Sequence, residues 1–315
     1  MPEITHRIFF SCARSDAPVV LEVANALGKV GQPVWLDQPT ASPPSSRSVS
    51  RSWVLRPTDL AGVARRGLAV GLLLASGAAC AACDRAGFVV AIDPGHTRAS
   101  PGATSARGMP EVRFNEVLAR RVLASLQAAG FSAAFLTHHD QAPVSLDERA
   151  QRANQRAANL FVSIHHDSAQ PHRLSTWVYR GRKLLYTDDI RGHSLFVSKK
   201  NGDAAGSLRF AQLLGARLRQ ACFVPTLHHA QKIPGESREL LDEWLGIYRF
   251  DELVVLKSTR MPALLFEAGV IVNRDEERLL RSPRYQKKLA AALTEAVVDF
   301  CAAPRVQPAA QPDCR

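Results

Sequence analysis

Phe88-Val-Val-Ala-Ile-Asp-Pro-Gly-His96 is the stretch whose reading decides the fold of this chain. Its five apolar residues are too few for a helix and long enough for a buried strand, and Asp93-Pro94-Gly95 ends that strand in a turn. A helix follows over 110–129, where Phe114, Leu118, Val122 and Leu126 recur every four residues, with Pro110 near its start and Gly130 just past its end. The chain returns as a strand over 131–136. Ser145 and Glu148 then form a capping box that opens a helix running to 158. Leu160-Phe-Val-Ser-Ile164 reads as the next buried strand, and a long irregular and helical stretch follows it. Strands are expected at 253–256 and 263–266, and a closing helix at 282–301. Strands alternating with helices over about 220 residues define one layered α/β domain.

The chemistry collects at the ends of these strands. His96 follows the first through its turn, His165 ends another, Glu267 ends a third, and Glu111 lies in the first turn of the first helix. Ligand sites of open α/β sheets gather at the carboxyl ends of strands, so these four side chains meet if the strands are neighbours. Two imidazoles and a carboxylate make a three-ligand zinc set with a fourth position for water. A second carboxylate off the metal is then free to act as a general base. Each residue alone reads equally well as a capping or surface group; the argument rests on their conjunction.

Val90-Ala-Ile-Asp-Pro-Gly-His96, Pro101-Gly-Ala103, Glu111 with Asn115, VSLDERAQRAN at 144–154, Asn159 to His165 and Met261 to Asn273 together resemble the zinc N-acetylmuramoyl-L-alanine amidases of bacterial cell walls. The similarity covers about residues 88–300, in the family's order and spacing. It implies a single three-layer α/β/α domain with a mixed, mostly parallel sheet flanked by helices. It puts one zinc ion per chain on His96, Glu111 and His165, and the catalytic role on Glu267. The implied reaction is hydrolysis of the amide between N-acetylmuramic acid and L-alanine in peptidoglycan. Zinc activates water and polarises the carbonyl, and Glu267 moves the proton to the leaving nitrogen. Two other readings stay open: an inert peptidoglycan-binding or signalling protein, and a zinc peptidase acting on stem peptides.

The chain departs from the family pattern in two places. Thr97-Arg98 stand where the family has Gly-Gly after its first histidine. About 100 residues separate His165 from Glu267, with an insertion expected over 168–250 that carries His172, His193, His228, His229 and Glu236. One reading makes the insertion a surface lobe shaping a substrate groove. The other makes it a cover over the zinc, with Glu236, His228 or His229 as a temporary fourth ligand and an activator protein needed to open it. Arg149 is a candidate for orienting a carboxylate near the site, although an arginine on an amphipathic helix is usually solvated. Trp177 and Tyr179 suit either stacking on substrate or core packing. His166 is expected to point away from the metal.

Before the body lie three segments. Residues 1–39 read as strand, helix (17–30) and strand; Arg7 to Pro18 and Trp35-Leu-Asp37 resemble the start of a Toll/interleukin-1 receptor domain, truncated before that family's catalytic glutamate. Residues 40–62 read as a Ser/Pro/Arg-rich linker. Residues 63–83 read as a secretory signal, with Arg65-Arg66, an apolar run too short to span a bilayer and an Ala-rich end. This places the body outside the cytoplasm, in the periplasm, as the product of a start near Val63 or as a lipoprotein bearing its lipid on Cys80 or Cys83. A true start at residue 1 would leave it cytoplasmic. Six cysteines are too few and too spread for a disulfide scaffold, and Cys80 and Cys83 read as the tail of the signal. The tail at 304–315 is expected to be disordered. Lys plus Arg exceed Asp plus Glu by 40 − 29 = 11. That excess favours an anionic partner, but the basic residues are scattered without interleaved aromatics, so no nucleic acid is expected.

Overall fold

The computed structural model describes residues 8–10, 34–36, 83–139, 144–233 and 237–302. The chain divides into two units, residues 1–73 and 74–315. In the first, β1 (Ile8–Phe10) and β2 (Val34–Leu36) pair in parallel, Phe9 opposite Trp35. Parallel neighbours need a crossover between them; the helix expected at 17–30 lies outside the described residues, as do the linker at 40–62, the segment at 63–82 and the tail at 304–315.

In the second unit, alternation along three strands builds the layers. These strands are β3 (Val90–Pro94), β5 (Leu160–Asp167) and β11 (Ala263–Val270). Val90, Ile92, Leu160, Val162, Ile164, Leu264 and Phe266 face one side, while Ala91, Phe161, Ala263 and Leu265 face the other. The first side packs on three long helices: α1 (Glu111–Ala128), α3 (Ala204–Gln220) and α6 (Pro283–Ala302). Phe114, Leu118, Phe210, Leu214, Leu293 and Phe300 meet the strands there. The second side is thinner, closed by α2 (Leu146–Gln155) and the single turn α4 (Val254–Lys257) through Ala153, Val255 and Leu256. Truncating a fully buried phenylalanine such as Phe210 would cost about 3–5 kcal/mol.

Seven strands form the sheet, which also includes β4 (Phe135–Leu136), β8 (Ser194–Val197), β9 (Glu239–Asp242) and β10 (Ile247–Arg249), in the order β4-β3-β5-β11-β8-β10-β9. Pairing is parallel from β4 to β11 and between β8 and β10, and antiparallel at β11–β8 and β10–β9. The sheet is therefore mixed and mostly parallel, with helices on both faces. Among the described residues no helix is long and apolar enough to cross a membrane.

Several expectations are corrected. The stretch 168–250 is not a surface lobe, because β8, β10 and α3 come from it and Leu195, Ile247 and Tyr248 are fully buried in the sheet. β6 (Ser175–Tyr179) and β7 (Arg182–Tyr186) form a separate two-stranded sheet, a hairpin turned by Arg180 and Gly181, both at positive φ as its two-residue turn requires. The strand expected at 253–256 is instead the helical turn α4: Leu256 and Lys257 both donate to the Leu253 carbonyl, and four apolar residues are too few for period to separate the two forms. The strand at 131–136 shrinks to Phe135–Leu136 because 131–134 close a turn, Ala134 N donating to Phe131 O. Cys83 is bonded to Cys301 across 218 residues, with Cα atoms 5.4 Å apart. A thiol committed to a disulfide cannot carry lipid, so Cys83 is neither a lipid site nor a signal remnant; Cys80 lies outside the described residues. The disulfide ties the entrance of β3 to the end of α6, where Phe88 meets Phe131 and Phe300 edge-on at 6.0 and 6.5 Å.

Candidate metal centre

Asp93, the last polar residue of β3, is fully buried and organises the turn that follows it. It accepts from Thr137 Oγ1 at 2.6 Å and Ser163 Oγ at 2.8 Å, with Arg149 Nη1 at 3.6 Å. Burial opposes its charge, but the His138 hydrogen bond, the Arg149 guanidinium and the Thr137 hydroxyl outweigh that and hold its carboxyl below the usual range. Arg149 Nη1 also donates to the Pro94 carbonyl at 3.2 Å, and Nη2 donates to the His96 carbonyl at 2.9 Å. His96 is thereby held in the left-handed region, φ 67°. Arg149 is thus buried rather than solvated, and it orients the loop that carries His96.

The loop from His96 to α1 closes over Glu111, the first residue of the helix. Glu111 Oε2 lies 3.1 Å from His96 Nε2, and Oε1 lies 3.0 Å from His165 Nδ1. Ala103 N donates to Oε2, while Asn115 Nδ2 and His166 N donate to Oε1. Burial pushes the Glu111 carboxyl upward; the hydrogen bonds to His165 and His96 reverse that and drive it well below the ordinary range. His166 faces the opposite way from His165, as expected. It pairs with Asn115 Oδ1 at 2.7 Å, and its burial lowers its pKa to about 3, so it stays neutral. The donor atoms of His96, Glu111 and His165 lie within 4.8 Å of one another.

Two glycines make this approach possible. A Cβ on Gly95 would stand 2.5 Å from His165 Cδ2 and Cε1, inside the imidazole. Gly102, at φ 76°, would put a Cβ 2.6 Å from His96 Cδ2 and closer still to Glu111 Oε2. Ser105 and Arg107 donate to buried Glu277, which pins the rest of the loop to α5 (Arg274–Leu280).

Glu267 stands on β11 directly across from His165 on β5. Its Oε2 is buried with no hydrogen-bond partner among the described residues. Burial first, then the neighbouring charges of Asp167 and Glu111, raise its pKa well above the normal carboxylate value. It lines a cavity of about 310 Å3 together with Asp167, Phe196, His228 and His229.

The four residues read from strand ends are therefore brought together. His228 and His229 are not placed at the first trio: their Nε2 atoms turn to Asp167 Oδ2, at 3.5 and 2.6 Å, so neither serves there as a fourth ligand. Glu236 lies outside the described residues. His193 is buried against the Leu245 carbonyl and belongs to neither group. Trp177 and Tyr179 stack on each other in the β6–β7 hairpin, 5.3 Å between centroids, and do not line the cavity. Asn154 bridges the Ser258 carbonyl and Arg260 N, a packing role. Asp167 escaped the sequence reading, although the signal existed: it is the third ionisable residue in a row after the apolar run Leu160–Ile164, and it closes β5.

A family model described as N-acetylmuramoyl-L-alanine amidase matches residues 90–299. Among curated proteins, AmiC of Neisseria meningitidis is 28% identical over 219 residues, covering 66% of this chain and 51% of that protein. An N-acetylmuramoyl-L-alanine amidase of Mycobacterium tuberculosis is 28% identical over 261 residues, covering 74% of this chain and 97% of that one. The chain thus spans about half the length of the Neisseria protein, and of a probable AmiB of Haemophilus influenzae (52%). Among solved structures, Ami1 of Mycobacterium smegmatis superposes with a TM-score of 0.56 at 22% identity, covering 69% of this chain and 98% of that one. The catalytic domain of CwlV from Bacillus (Paenibacillus) polymyxa does so at 0.51 and 24%, covering 68% and 97%. These likenesses show the same fold.

Proposed function

The chain belongs to the N-acetylmuramoyl-L-alanine amidase family, and from that premise we propose that it cleaves the amide between N-acetylmuramic acid and L-alanine in peptidoglycan. The observation that carries the reading is the meeting of His96, Glu111 and His165 within 4.8 Å of one another, with Glu267 on the adjacent strand. We assign one zinc ion to that trio. The donor chemistry suits it: two imidazoles and one carboxylate are a zinc set that leaves a position open. The cradle suits it as well, since Gly95 and Gly102 clear the space that a side chain would take from the ligands. When bound, zinc lowers the pKa of water from 15.7 to about 7 and polarises the carbonyl as a Lewis acid.

The chain's own residues supply the rest. Asn115 binds Glu111 and the Gly95 carbonyl, fixing the carboxylate and the turn together. Glu267, whose Oε2 has no partner among the described residues, takes the proton of the attacking water and delivers it to the leaving nitrogen of L-alanine. Its raised pKa makes it a competent acceptor and then a competent donor. The proposed substrate is anionic, which suits the net charge of +11. The proposed location is extracytoplasmic. The Cys83–Cys301 disulfide supports it, because disulfides persist in oxidising compartments. The segment assignments at 1–39 and 40–62 stand as proposals with it, and so does a signal that ends before the disulfide-bonded Cys83.

The test is to quantify zinc in the purified chain, incubate it with peptidoglycan and identify released fragments by mass spectrometry. Stem peptides that begin with free L-alanine, lost with chelator, are the expected result. Glu267→Gln should keep zinc and lose about 10²- to 10⁴-fold of turnover, the usual contribution of a general base. Cleavage elsewhere in the stem peptide would favour the peptidase reading.

A further inference from the structure

A second convergence of metal-binding atoms lies beside the first and shares no residue with it. Asp167 ends β5, and His228 and His229 sit in a 3-10 turn, His228–Ala230, more than sixty residues further along. Their donor atoms also lie within 4.8 Å of one another. We propose that Asp167, His228 and His229 form a second divalent-metal site, of the zinc class, on the wall of the cavity that Glu267 lines.

Each ligand is aimed by something behind it. Asp167 Oδ1 accepts from Ser168 N at 2.8 Å, which turns Oδ2 toward the two histidines. His228 Nδ1 pairs with Thr226 Oγ1 at 3.0 Å, and the Thr226 carbonyl accepts from Tyr248 OH at 2.8 Å. With the proton on Nδ1, His228 presents a bare Nε2 to the carboxylate. Metal-ligating histidines are oriented in this way, their second nitrogen donating to a fixed partner. His229 is held edge-on between Phe196 at 5.0 Å and Tyr248 at 5.6 Å, so its ring cannot swing freely. Side-chain exposures of 3% for His228, 11% for Asp167 and 18% for His229 place the donors at a wall, not on an open surface.

The spacing fits an ion with little rearrangement. Ligands around a tetrahedral zinc with bonds of about 2.0–2.1 Å stand about 3.3 Å apart. The His228 Nε2–Asp167 Oδ2 distance is already 3.5 Å. His229 Nε2 is hydrogen-bonded to the same oxygen at 2.6 Å, so an ion must replace that hydrogen bond and open the contact by about 0.7 Å. Two nitrogens and one carboxylate oxygen select zinc and its neighbours over calcium or magnesium, which prefer all-oxygen sets. The cavity of about 310 Å3 leaves room for water or a substrate oxygen in the remaining position. An ion here would flank the proposed base, but the assignment does not depend on the amidase reading.

The test is metal stoichiometry on the full chain, stripped with chelator and titrated with Zn2+ against a competing indicator, then checked by elemental analysis. Two equivalents are expected for the wild type and one for the double variant His228→Gln/His229→Gln. One is expected for His96→Ala, and none for the three changes combined. Glutamine keeps a donor toward Asp167 so that the turn can still close, and Asp167→Asn provides a second variant of the same size, also expected to hold one. A wild type holding one equivalent that survives His228→Gln/His229→Gln and Asp167→Asn overturns the second site. So does a wild type whose two equivalents both survive those changes. A single equivalent lost in those variants but kept in His96→Ala supports the second site and overturns the assignment of the first.

Discussion

Gly95→Ala isolates the geometry of the first centre from the stability of the fold. The new Cβ would stand 2.5 Å from His165 Cδ2 and Cε1, and ordinary contact begins at 3.4 Å, so the ring must retreat by about 0.9 Å. The backbone cannot yield instead. Gly95 N donates to Ile164 O at 2.8 Å, and its carbonyl accepts from Asn115 at 3.1 Å. Gly95 is absent from the residues of positive φ, so alanine is conformationally acceptable there. Zinc sites tolerate ligand displacements of about 0.2 Å. A shift of 0.9 Å therefore takes His165 out of bonding range and should weaken zinc by at least the 10- to 100-fold typical of a disturbed ligand, about 1.4–2.7 kcal/mol. The metal-free protein should change far less. The His165 side chain is 17% exposed and can swing outward, and the crowding cost of about 1–3 kcal/mol is partly offset by about 0.4–1 kcal/mol from a stiffer unfolded chain. Gly102→Ala differs, because φ 76° adds left-handed strain of about 1–2 kcal/mol to its own clash with His96 and Glu111. Chelator competition gives the affinities and thermal melts of the metal-free proteins give the stabilities. A Gly95→Ala protein that binds zinc as tightly as wild type would refute the assignment of His165 as a ligand.

Further outcomes follow from the scaffold around the site. Reducing Cys83–Cys301, or replacing both with serine, releases a constraint on a 218-residue loop; it should cost about 2–5 kcal/mol in denaturant melts, with no change if the bond is dispensable. Arg149→Ala leaves the buried Asp93 charge and two loop carbonyls short of partners and should cost about 3–5 kcal/mol by urea unfolding; a loss below about 1 kcal/mol, normal for a surface site, would contradict its burial. Burial lowers the pKa of His193 to about 4 from 6.5, so the folded state binds fewer protons than the unfolded one. Its stability contribution is present above pH 6.5 and is lost as pH falls toward 4, by about 3 kcal/mol in all. His193→Gln should flatten the fall of melting temperature across that window, and an unchanged slope would remove His193 from the acid response.

The parts of the fold legible in the sequence are those in which local pattern and tertiary role agree. FVVAID and LFVSI are apolar because both faces of their strands are covered; the first ends within a residue of the end of β3, and β5 runs on for three polar residues after the second. Polar groups collect at those ends because the layers stop covering them, which is why His96, His165 and Glu267 could be picked out before any contact was known. β8 and β10 were illegible for the opposite reason. Strands of four and three residues carry no measurable period, and their burial comes from pairing with β11 and with each other. Arg149 misled for a related reason: its helix exposes most polar residues, and only the buried carboxylate of Asp93 explains why this one turns inward. The Cys83–Cys301 bond likewise joins segments with no local sign of each other.

The same distinction separates the two clusters of metal-binding atoms. In the first, His165 lies near the end of β5 and His96 and Glu111 flank the loop from its neighbour β3 to α1, so one strand pair and one loop assemble it. In the second, Asp167 is such a residue, but His228 and His229 depend on a turn whose position is set by Tyr248 on β10 through the Thr226 carbonyl. That turn follows α3, and its distance from Asp167 is decided by how β8 and β10 extend the sheet beyond β11. The stretch read as a lobe or a cover is therefore the stretch that carries two more imidazoles to the cavity of Glu267. Its effect on the site is to add donors to a wall already built, and no hinge is required for them to reach it.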